Sequence, residues 1–577
     1  MFQLRRFLKK YKLQLTIGPL CKLIEAIFEL FVPLITADII DNGVANHDVG
    51  YVLSRGGWMI LLGALGLCFA LVCQKSASIA SQGFGTQVRN AMFHHINTLS
   101  HSELDRFGTP SLITRITNDI NQLQLAVAML IRLVIRAPFL VVGALVMAMT
   151  IDLKMSLIFL AASPLIALVL ALVMHQSVPF YKTIQQKLDK VSLISRENLS
   201  GNRVVRAFSK QESDEARFDQ KNDELAAAAV TVGRISALLN PLTYVIAQAA
   251  IVAIVWFGAQ FVFGGYLLPG QIIALVNYMT QILLAMIVVS NLAVIFTKAF
   301  ASAARVNEIF DTRPSVVEKN SKPISVDRNA PAVEFRNVSF GYADNGYALK
   351  DISFTVPKGA SVGIIGGTGS GKSTLVNLIP RFYDTSKGEV FVNGNNVRDY
   401  PFAQLRGKIG VVPQTAVLFA GTIRENMRWG KKNATDKEMI KALQISQSYE
   451  FVSQLPEQLD SLAAAGGKNF SGGQRQRLTI ARALVSNPEI LILDDSASAL
   501  DLATDAALRK ALSQQTRNMT VIMVSQRVGT IRYADKIFVL DKGKLVGTGT
   551  HNELFDHCDV YREICLSQLK EEEVRNR

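Results

Sequence analysis

The sequence has 577 residues and a formal net charge of +14, with 49% hydrophobic and only 19% charged residues. Soluble globular proteins carry about 25% charged residues, so this composition excludes a wholly soluble protein and indicates a membrane protein with a soluble part. The basic residues flank apolar segments and no nucleic-acid-binding motif is present, so we expect no nucleic-acid partner. The 5 cysteines form no CxxC pair, and we expect single thiols.

The first half of the chain is predicted to cross a lipid bilayer. It begins with a basic, amphipathic segment that no small-residue cleavage site follows, which favours an interfacial helix over a signal peptide. Roughly six stretches are long and apolar enough to span a hydrocarbon core of about 30 Å. They are Leu15–Ile40, Trp58–Cys73, Val127–Thr150, Met155–Met174, Leu238–Val262 and Ile272–Phe296.

The connectors predict the orientation of these spans. Those after the first, third and fifth spans are short and poor in cations, whereas those after the second and fourth are long, basic and helical in pattern. By the positive-inside rule the long connectors and both termini are cytoplasmic, at the cytoplasmic membrane. The basic residues of the long connectors are Arg89, Arg106, Arg115, Lys182, Lys187, Arg196, Arg203, Arg206 and Lys210.

The second half of the chain reads as a soluble α/β domain. Residues 1–310 form the predicted membrane domain, and the polar, proline-containing segment 311–331 is a linker. Strand-like and helix-like segments alternate over 332–569, and 570–577 is a charged tail. The predicted fold is therefore an all-α polytopic membrane domain of six helices followed by an α/β P-loop domain.

A phosphate-binding loop is the strongest motif. The pattern G-x-x-x-x-G-K-[ST] follows an apolar strand and precedes a helix, which is its required context. Backbone N–H groups of the glycine-rich loop would surround the phosphates, Lys372 would neutralise their charge and Ser373 would reach Mg²⁺. The predicted ATP-binding residues here are Gly366, Gly367, Thr368, Gly369, Ser370, Gly371, Lys372, Ser373 and Thr374.

Two further segments supply the family resemblance. The apolar run 490–493 ends in Asp494, which would hold Mg²⁺. The sequence Phe470-Ser471-Gly472-Gly473-Gln474 resembles the LSGGQ signature of ATP-binding cassette (ABC) proteins, with phenylalanine in place of leucine. Over its whole length the chain resembles an ABC half-transporter of the exporter (type IV) fold, which implies an ATP-driven transporter whose signature caps the ATP of a second subunit.

The resemblance assigns roles to three more positions. Tyr342 corresponds to the aromatic residue that stacks on adenine. Gln414 corresponds to the glutamine that touches Mg²⁺, so the implied metal-binding residues are Ser373, Gln414 and Asp494. Asp501 lies in the segment that corresponds to the D-loop.

Two positions depart from the family pattern. The family has glutamate after the Mg²⁺-binding aspartate, and here Asp495 is one methylene shorter; the histidine expected after the next strand is Gln526. A misplacement of about 1 Å can cost on the order of 10²-fold in rate, and glutamine lacks the charge and proton chemistry of imidazole. The chain therefore resembles the degenerate-site subunit of bacterial heterodimeric multidrug exporters, although a sluggish homodimer is an alternative.

The cargo is less defined. Lys22, Glu25 and Glu29 share one face of the first span, either as a Lys22–Glu25 contact or as an acidic patch for cationic cargo. Arg132 and Arg136 in the third span either line a wet cavity or meet lipid headgroups. We expect export of small hydrophobic, amphipathic or cationic compounds, with a lipid or peptide flippase, an importer and a nucleotide-gated regulator as alternatives. The resemblance places coupling helices at Thr109–Thr114 and Asn198–Val205.

Overall fold

A computed structural model describes residues 2–318, 322–325, 327, 329–342, 346–515 and 518–569. The predicted charged tail 570–577 and part of the predicted linker lie outside these residues, as does the Lys182 side chain. The chain divides into two compact units. The first comprises Met1–Asn97 and Thr109–Thr312, and the second comprises Thr98–Gly108 and Arg313–Arg577.

The first unit is helical throughout its described elements. A 3₁₀ helix, Phe2–Tyr11, precedes the first α-helix, and π-helical turns occur at Ile39–Val44 and Arg115–Asp119. The α-helices are Lys12–Asp38, Val49–Ile96, Thr109–Thr114, Ile120–Arg132, Arg136–Ile151, Leu153–Ala207, Gln211–Ala237, Leu239–Phe263 and Pro269–Asp311. The prediction of helical connectors is confirmed, because Leu153–Ala207 alone has 55 residues. At a rise of 1.5 Å per residue it is about 80 Å long, more than twice the thickness of a hydrocarbon core.

Five of the six predicted spans lie in helices that are long and apolar enough to cross a membrane, judged by length and composition over the described residues. The predicted first span lies in the helix Lys12–Asp38, of 27 residues, whose charged side chains keep it outside that criterion. This helix still packs in the common core, where Ala26 and Leu30 are buried with Tyr278. The Tyr278 hydroxyl donates to the Leu30 carbonyl oxygen at 2.6 Å.

Lys22, Glu25 and Glu29 of the first helix are all paired. Lys22 Nζ lies 2.7 Å from Glu25 Oε1, which is the self-paired alternative of the sequence. Glu29 Oε2 accepts from the Arg136 guanidinium at 2.6 Å, so Arg136 faces another helix of the unit. The helix Lys12–Asp38 also packs closely on Ile120–Arg132. Gly18 allows this approach, since a Cβ there would lie 2.4 Å from Ile131 Cγ2. The acidic side chains are therefore neutralised within the unit.

The second unit contains twelve described strands. They are β1 (Val333–Phe340), β2 (Leu349–Val356), β3 (Ser361–Ile365), β4 (Lys387–Val392), β5 (Asn395–Asn396), β6 (Ile409–Val412), β7 (Gly421–Thr422), β8 (Leu462–Ala463), β9 (Ile490–Asp494), β10 (Thr520–Val524), β11 (Lys536–Asp541) and β12 (Lys544–Gly549). The strand predicted to precede the phosphate loop is confirmed as β3.

These strands form three sheets. The orders are β2-β1-β4-β5, β12-β11-β3-β10-β9-β6 and the pair β7-β8. In the six-stranded sheet β6, β9, β10, β3 and β11 are parallel, and β12 is antiparallel to β11. Strands β9 and β10 are buried at every residue, as expected for a parallel sheet covered on both faces. The carboxyl ends of β3, β10 and β9 therefore meet at one edge, where α/β folds bind ligands.

The α-helices of the second unit surround these sheets. They are His101–Phe107, Lys372–Leu378, Phe402–Gly407, Ile423–Arg428, Asp436–Ile445, Tyr449–Ser453, Gly472–Leu484, Leu502–Gln515, Val528–Ile531, His551–His557 and Asp559–Leu566, with 3₁₀ turns at Gln458–Asp460 and Ala465–Gly467.

One of these helices comes from the first long connector. The His101 ring stacks on Phe382 with ring centroids 4.5 Å apart, and the Tyr383 hydroxyl donates to Asp105 Oδ2 at 2.7 Å. The segment Thr109–Thr114, expected to be a coupling helix, belongs to the first unit. The helix just before it, His101–Phe107, packs in the second unit, and Gly108 with φ 72° ends that helix.

Candidate nucleotide-binding site

The phosphate loop connects β3 to the helix Lys372–Leu378 at the ligand-binding edge of the sheet. Gly369 and Gly371 have φ values of 78° and 99°, in the left-handed region that favours glycine. A Cβ at Gly366 would lie 2.1 Å from the Leu540 carbonyl oxygen. These constraints give the loop the backbone path that lets successive N–H groups converge on an anion.

Lys372 is held inside this loop. Its Nζ donates to the carbonyl oxygens of Gly366 and Gly367, each at 2.8 Å. Burial lowers the pKa of Lys372, while Asp495 and Asp494 nearby oppose that shift. Ser370 Oγ is buried with no hydrogen-bond partner among the described atoms. A cation and an unsatisfied polar oxygen therefore lie in the cradle, which fits a phosphate group.

Ser373 and Asp494 come together as the sequence predicts. Ser373 Oγ donates to Asp494 Oδ1 at 3.0 Å, and Asp494 ends the buried strand β9. Burial raises the pKa of Asp494, and the Ser373 hydrogen bond partly offsets the shift. A hydroxyl and one carboxylate beside a phosphate loop are the donor set that Mg²⁺ uses with nucleotides. These residues fit the predicted metal.

Asp495 is engaged by its neighbours. Gln414 Nε2 donates to Asp495 Oδ2 at 3.2 Å, and the backbone of Gln526 also interacts with this carboxylate. Burial raises the pKa of Asp495 above its ordinary value, and the Gln414 hydrogen bond acts against that rise. The backbone of Asp495 lies in the left-handed region, with φ 47°. The three predicted residues Gln414, Asp495 and Gln526 thus meet at one place.

The loop after β10 carries Gln526, whose side chain is exposed. Two hydrogen bonds hold the start of this loop against the neighbouring strands. The Asp495 N–H donates to the Val524 oxygen at 2.9 Å, and the Ser525 N–H donates to the Ile364 oxygen at 3.1 Å. Gln526 therefore follows the strand between the phosphate-loop strand and the strand of Asp494.

Arg527 was missed in the sequence. Its guanidinium donates to the Ser498 oxygen at 3.0 Å and to the Leu500 oxygen at 3.2 Å, which ties the Gln526 loop to the segment before Asp501. Asp501 is exposed and accepts from the Thr504 N–H and hydroxyl, each at 2.8 Å. These hydrogen bonds lower the pKa of Asp501. In the sequence, the only indication of this contact is that Arg527 directly follows Gln526.

Tyr342 lies beside the phosphate-loop helix. Its hydroxyl donates to Thr374 Oγ1 at 3.1 Å, and the residue is 40% exposed. Its ring also contacts Tyr383 edge-on, with centroids 5.4 Å apart. Tyr383, which the sequence analysis missed, therefore links the predicted adenine-stacking residue to the helix His101–Phe107.

The signature segment begins the helix Gly472–Leu484. Ser471 and Gln474 form a reciprocal cap, in which the Ser471 N–H donates to Gln474 Oε1 at 2.9 Å and the Gln474 N–H donates to Ser471 Oγ at 3.3 Å. Ser471 and Gly472 are exposed, whereas Phe470 is buried and meets Phe451 edge-on. The leucine-to-phenylalanine difference therefore lies in the core, and the predicted anion-binding groups face outward.

Comparison with known proteins agrees with this architecture. Residues 15–286 match the family described as the ABC transporter transmembrane region, and residues 349–498 match the family described as ABC transporter. A solved bacterial Atm1-family ABC exporter with ATP bound shares the fold, with a TM-score of 0.77 and 24% identity, over 98% of this chain and 99% of that chain.

Three relatives extend the similarity along the sequence. An uncharacterized ABC transporter ATP-binding protein of Mycobacterium tuberculosis is 36% identical over 98% of this chain and 97% of its own length. An ATP-dependent lipid A-core flippase of Syntrophus aciditrophicus is 31% identical over 86% and 82%. YgaD of Bacillus subtilis, provisionally named a multidrug export ATP-binding/permease protein, is 30% identical over 98% of both chains. The chain therefore belongs to the ABC transporter ATPase family and joins a helical membrane domain to an ABC ATP-binding domain in the Atm1-type exporter fold.

Proposed function

We propose that the protein is one half of a heterodimeric ABC exporter that moves hydrophobic or amphipathic compounds across the cytoplasmic membrane. Its own Walker site binds ATP and hydrolyses it weakly, and a partner half-transporter supplies the strongly hydrolytic site. Closure of the two ATP-binding domains on ATP then drives the change of access in the membrane domains. Both termini and the long helical connectors lie on the cytoplasmic side.

The observation that carries this proposal is the pairing of Asp495 with Gln414. The position that holds the catalytic glutamate in related transporters bears a shorter carboxylate, and that carboxylate already accepts from Gln414 Nε2 at 3.2 Å. Gln526, at the histidine position, can donate a hydrogen bond but cannot carry the charge of an imidazolium. Water activation is thereby weakened, whereas the groups that bind phosphate are in place.

Nucleotide binding is assigned to the remaining site residues. Gly366–Thr374 hold the phosphates, with Lys372 as the cation, and Tyr342 stacks on the base. Ser373, Asp494 and Gln414 would hold Mg²⁺, which would neutralise phosphate charge. Gln414 contacts Asp495 in this structure, so its role at the metal requires that side chain to exchange partners.

The partner is expected to use exposed parts of this chain. Ser471, Gly472, Gly473 and Gln474 would cap the partner's ATP, since backbone N–H groups at a helix start attract anions. The tip of the second long connector, around Asn198–Val205, would dock on the partner's ATP-binding domain. Leu199 and Phe208 at this tip are 77% and 72% exposed, which is consistent with a surface that another chain covers.

A lipid flippase is the second candidate, because a relative with 31% identity is named an ATP-dependent lipid A-core flippase. Cationic cargo has less support, since Glu25 and Glu29 are each paired with a cation of this chain. An importer and a nucleotide-gated regulator share the same motifs. Transport of a fluorescent amphiphile into inverted vesicles, with and without ATP, separates an exporter from a gate.

The heterodimer is tested by ATP hydrolysis. The full-length chain, in wild-type form and as D495N, is purified alone and together with a half-transporter that carries glutamate and histidine at the two corresponding positions. We expect little hydrolysis by the chain alone, brisk hydrolysis by the pair, and a pair whose rate changes little on Asp495→Asn. Brisk hydrolysis by the chain alone that is lost on Asp495→Asn would refute the proposal.

A further inference from the structure

We infer that Gln568, near the end of the described chain, is a positioning residue for the loop that presents Gln526 to the nucleotide. Gln568 Oε1 accepts from the Val528 N–H at 2.9 Å. Gln568 Nε2 donates to the Gln526 carbonyl oxygen at 2.7 Å. One carboxamide thus binds the backbone on both sides of Arg527.

The helix that precedes Gln568 is firmly packed. In this helix, Asp559–Leu566, Tyr561 and Cys565 are both fully buried. The Tyr561 hydroxyl lies 2.7 Å from His551 Nδ1, so the helix is also tied to the preceding helix His551–His557. Because this helix is fixed, the Gln568 carboxamide has few alternative positions. Its two hydrogen bonds therefore restrict the loop that contains Gln526.

The restricted loop carries an exposed carboxamide, that of Gln526. At its start, the Val524 oxygen accepts from the Asp495 N–H and the Ser525 N–H donates to β3. Gln568 then binds the backbone of Gln526 and Val528, and the Arg527 guanidinium binds the Ser498 oxygen. The Gln526 side chain, in contrast, is exposed and makes no hydrogen bond to any part of the chain that the structure describes. A fixed backbone with a free carboxamide is the arrangement expected for binding an external ligand.

The consequence for nucleotide binding is specific to the terminal phosphate. This step relies on the proposed function, in which Gln526 occupies the position that contacts the γ-phosphate. Loss of Gln568 frees the loop, so Gln526 must be ordered when ATP binds, and ATP affinity falls. ADP has no γ-phosphate, and its contacts with Lys372 and the phosphate loop do not involve Gln526. The ratio of ATP to ADP affinity is therefore the measured quantity.

The experiment uses the full-length, detergent-solubilised chain with Mg²⁺, with ATP and ADP each displacing a fluorescent trinitrophenyl-ADP. For Gln568→Ala we expect ATP to bind about 5- to 10-fold more weakly, the loss typical of one or two hydrogen bonds, with ADP affinity within about two-fold of wild type. Ser567→Ala is the matched control, because the Ser567 hydroxyl bonds only to the Ile564 oxygen of its own turn. Equal weakening of ATP and ADP, or no change in either, would overturn the inference.

A double-mutant cycle separates positioning from general destabilisation. If Gln568 acts through Gln526, Gln568→Ala should have no further effect on the ATP-to-ADP ratio in a Gln526→Ala background. Additive effects would overturn the inference even if both variants were less stable. If Gln526→Ala lowers the ratio and Gln568→Ala does not, only the role of Gln568 fails. If the wild-type chain binds neither nucleotide, the proposed function fails as well.

Discussion

Gln414 and Asp495 are joined by a hydrogen bond of 3.2 Å, which links the loop after β6 to the first residue after β9. Asp495 occupies the position of the family's water-activating glutamate, and Gln414 corresponds to the glutamine that touches Mg²⁺ in the family. In this structure Gln414 orients the Asp495 carboxylate. The shorter aspartate therefore already has a hydrogen-bond partner in this structure. Under the proposed function, this hydrogen bond and the missing methylene would both weaken hydrolysis.

Restoring the family residues should therefore restore hydrolysis. We expect Asp495→Glu combined with Gln526→His to raise the ATPase rate of the purified chain on the order of 10²-fold, because the longer carboxylate reaches the water and the imidazole replaces the amide. Each single change should give much less, since groups that act together are not additive. Phosphate release measures the rate. The control adds Lys372→Ala, which should abolish the gain; a double variant as slow as wild type would contradict the prediction.

The buried Asp494 predicts a pH dependence of metal binding. Burial raises the pKa of this carboxyl, so the folded protein holds its proton to higher pH than the unfolded chain does. In the absence of metal, this group therefore destabilises the fold as pH rises through its folded pKa. Mg²⁺ requires the ionised form, so Mg²⁺-dependent ATP affinity should fall on acidification at a higher pH than for an exposed aspartate. Titration of ATP binding from pH 8 to pH 5 with Mg²⁺, against the same series with EDTA, measures the effect; parallel curves would exclude it.

The motifs that the sequence predicted are mostly contiguous in the chain. The phosphate loop could be predicted because nine neighbouring residues carry it, and Asp494, Asp495 and Gln526 follow strands whose apolar runs are visible in the sequence. The parallel order of β3, β10 and β9 then brings them to one edge. The position of Phe470 in the core, in contrast, depends on its contact with Phe451 across the helical part of the domain.

What the sequence could not predict are contacts between distant segments. Tyr383 and Asp105 are 278 positions apart, and Arg136 and Glu29 are 107 apart. No local periodicity specifies such pairs, because they arise only when helices and sheets pack. The packing of His101–Phe107 in the second unit could not be predicted for the same reason, since Thr109–Thr114 and His101–Phe107 are both short and helical in pattern, and only packing against Phe382 distinguishes them.

The Tyr383–Asp105 hydrogen bond predicts a coupling element within the second unit. We expect Tyr383→Phe to lower the ATPase response to transported compounds while leaving ATP affinity nearly unchanged, because Tyr383 contacts both Tyr342 and the helix His101–Phe107. Tyr383→Phe and Asp105→Asn should be non-additive, with a coupling of about 1 kcal/mol for a hydrogen bond near the surface. ATPase stimulation by a fluorescent amphiphile, measured on the complete transporter, tests this. Fully additive effects would show that the two side chains act separately.

The Glu29–Arg136 pair predicts a compensating double substitution in the membrane domain. Either Glu29→Gln or Arg136→Gln leaves one charge without its partner among apolar helices, which costs free energy of folding. The side chains are 38% and 23% exposed, so we expect about 1–2 kcal/mol for each rather than the 3–5 kcal/mol of a fully buried pair. The double variant E29Q/R136Q removes both charges and should recover most of the loss. Thermal unfolding in detergent, followed by size-exclusion fluorescence, measures this recovery, and Lys154→Gln at the opposite end of the helices serves as a control for loss of one cation. If the double variant is as unstable as the sum of the single variants, then the two charges do not neutralise each other in the membrane domain.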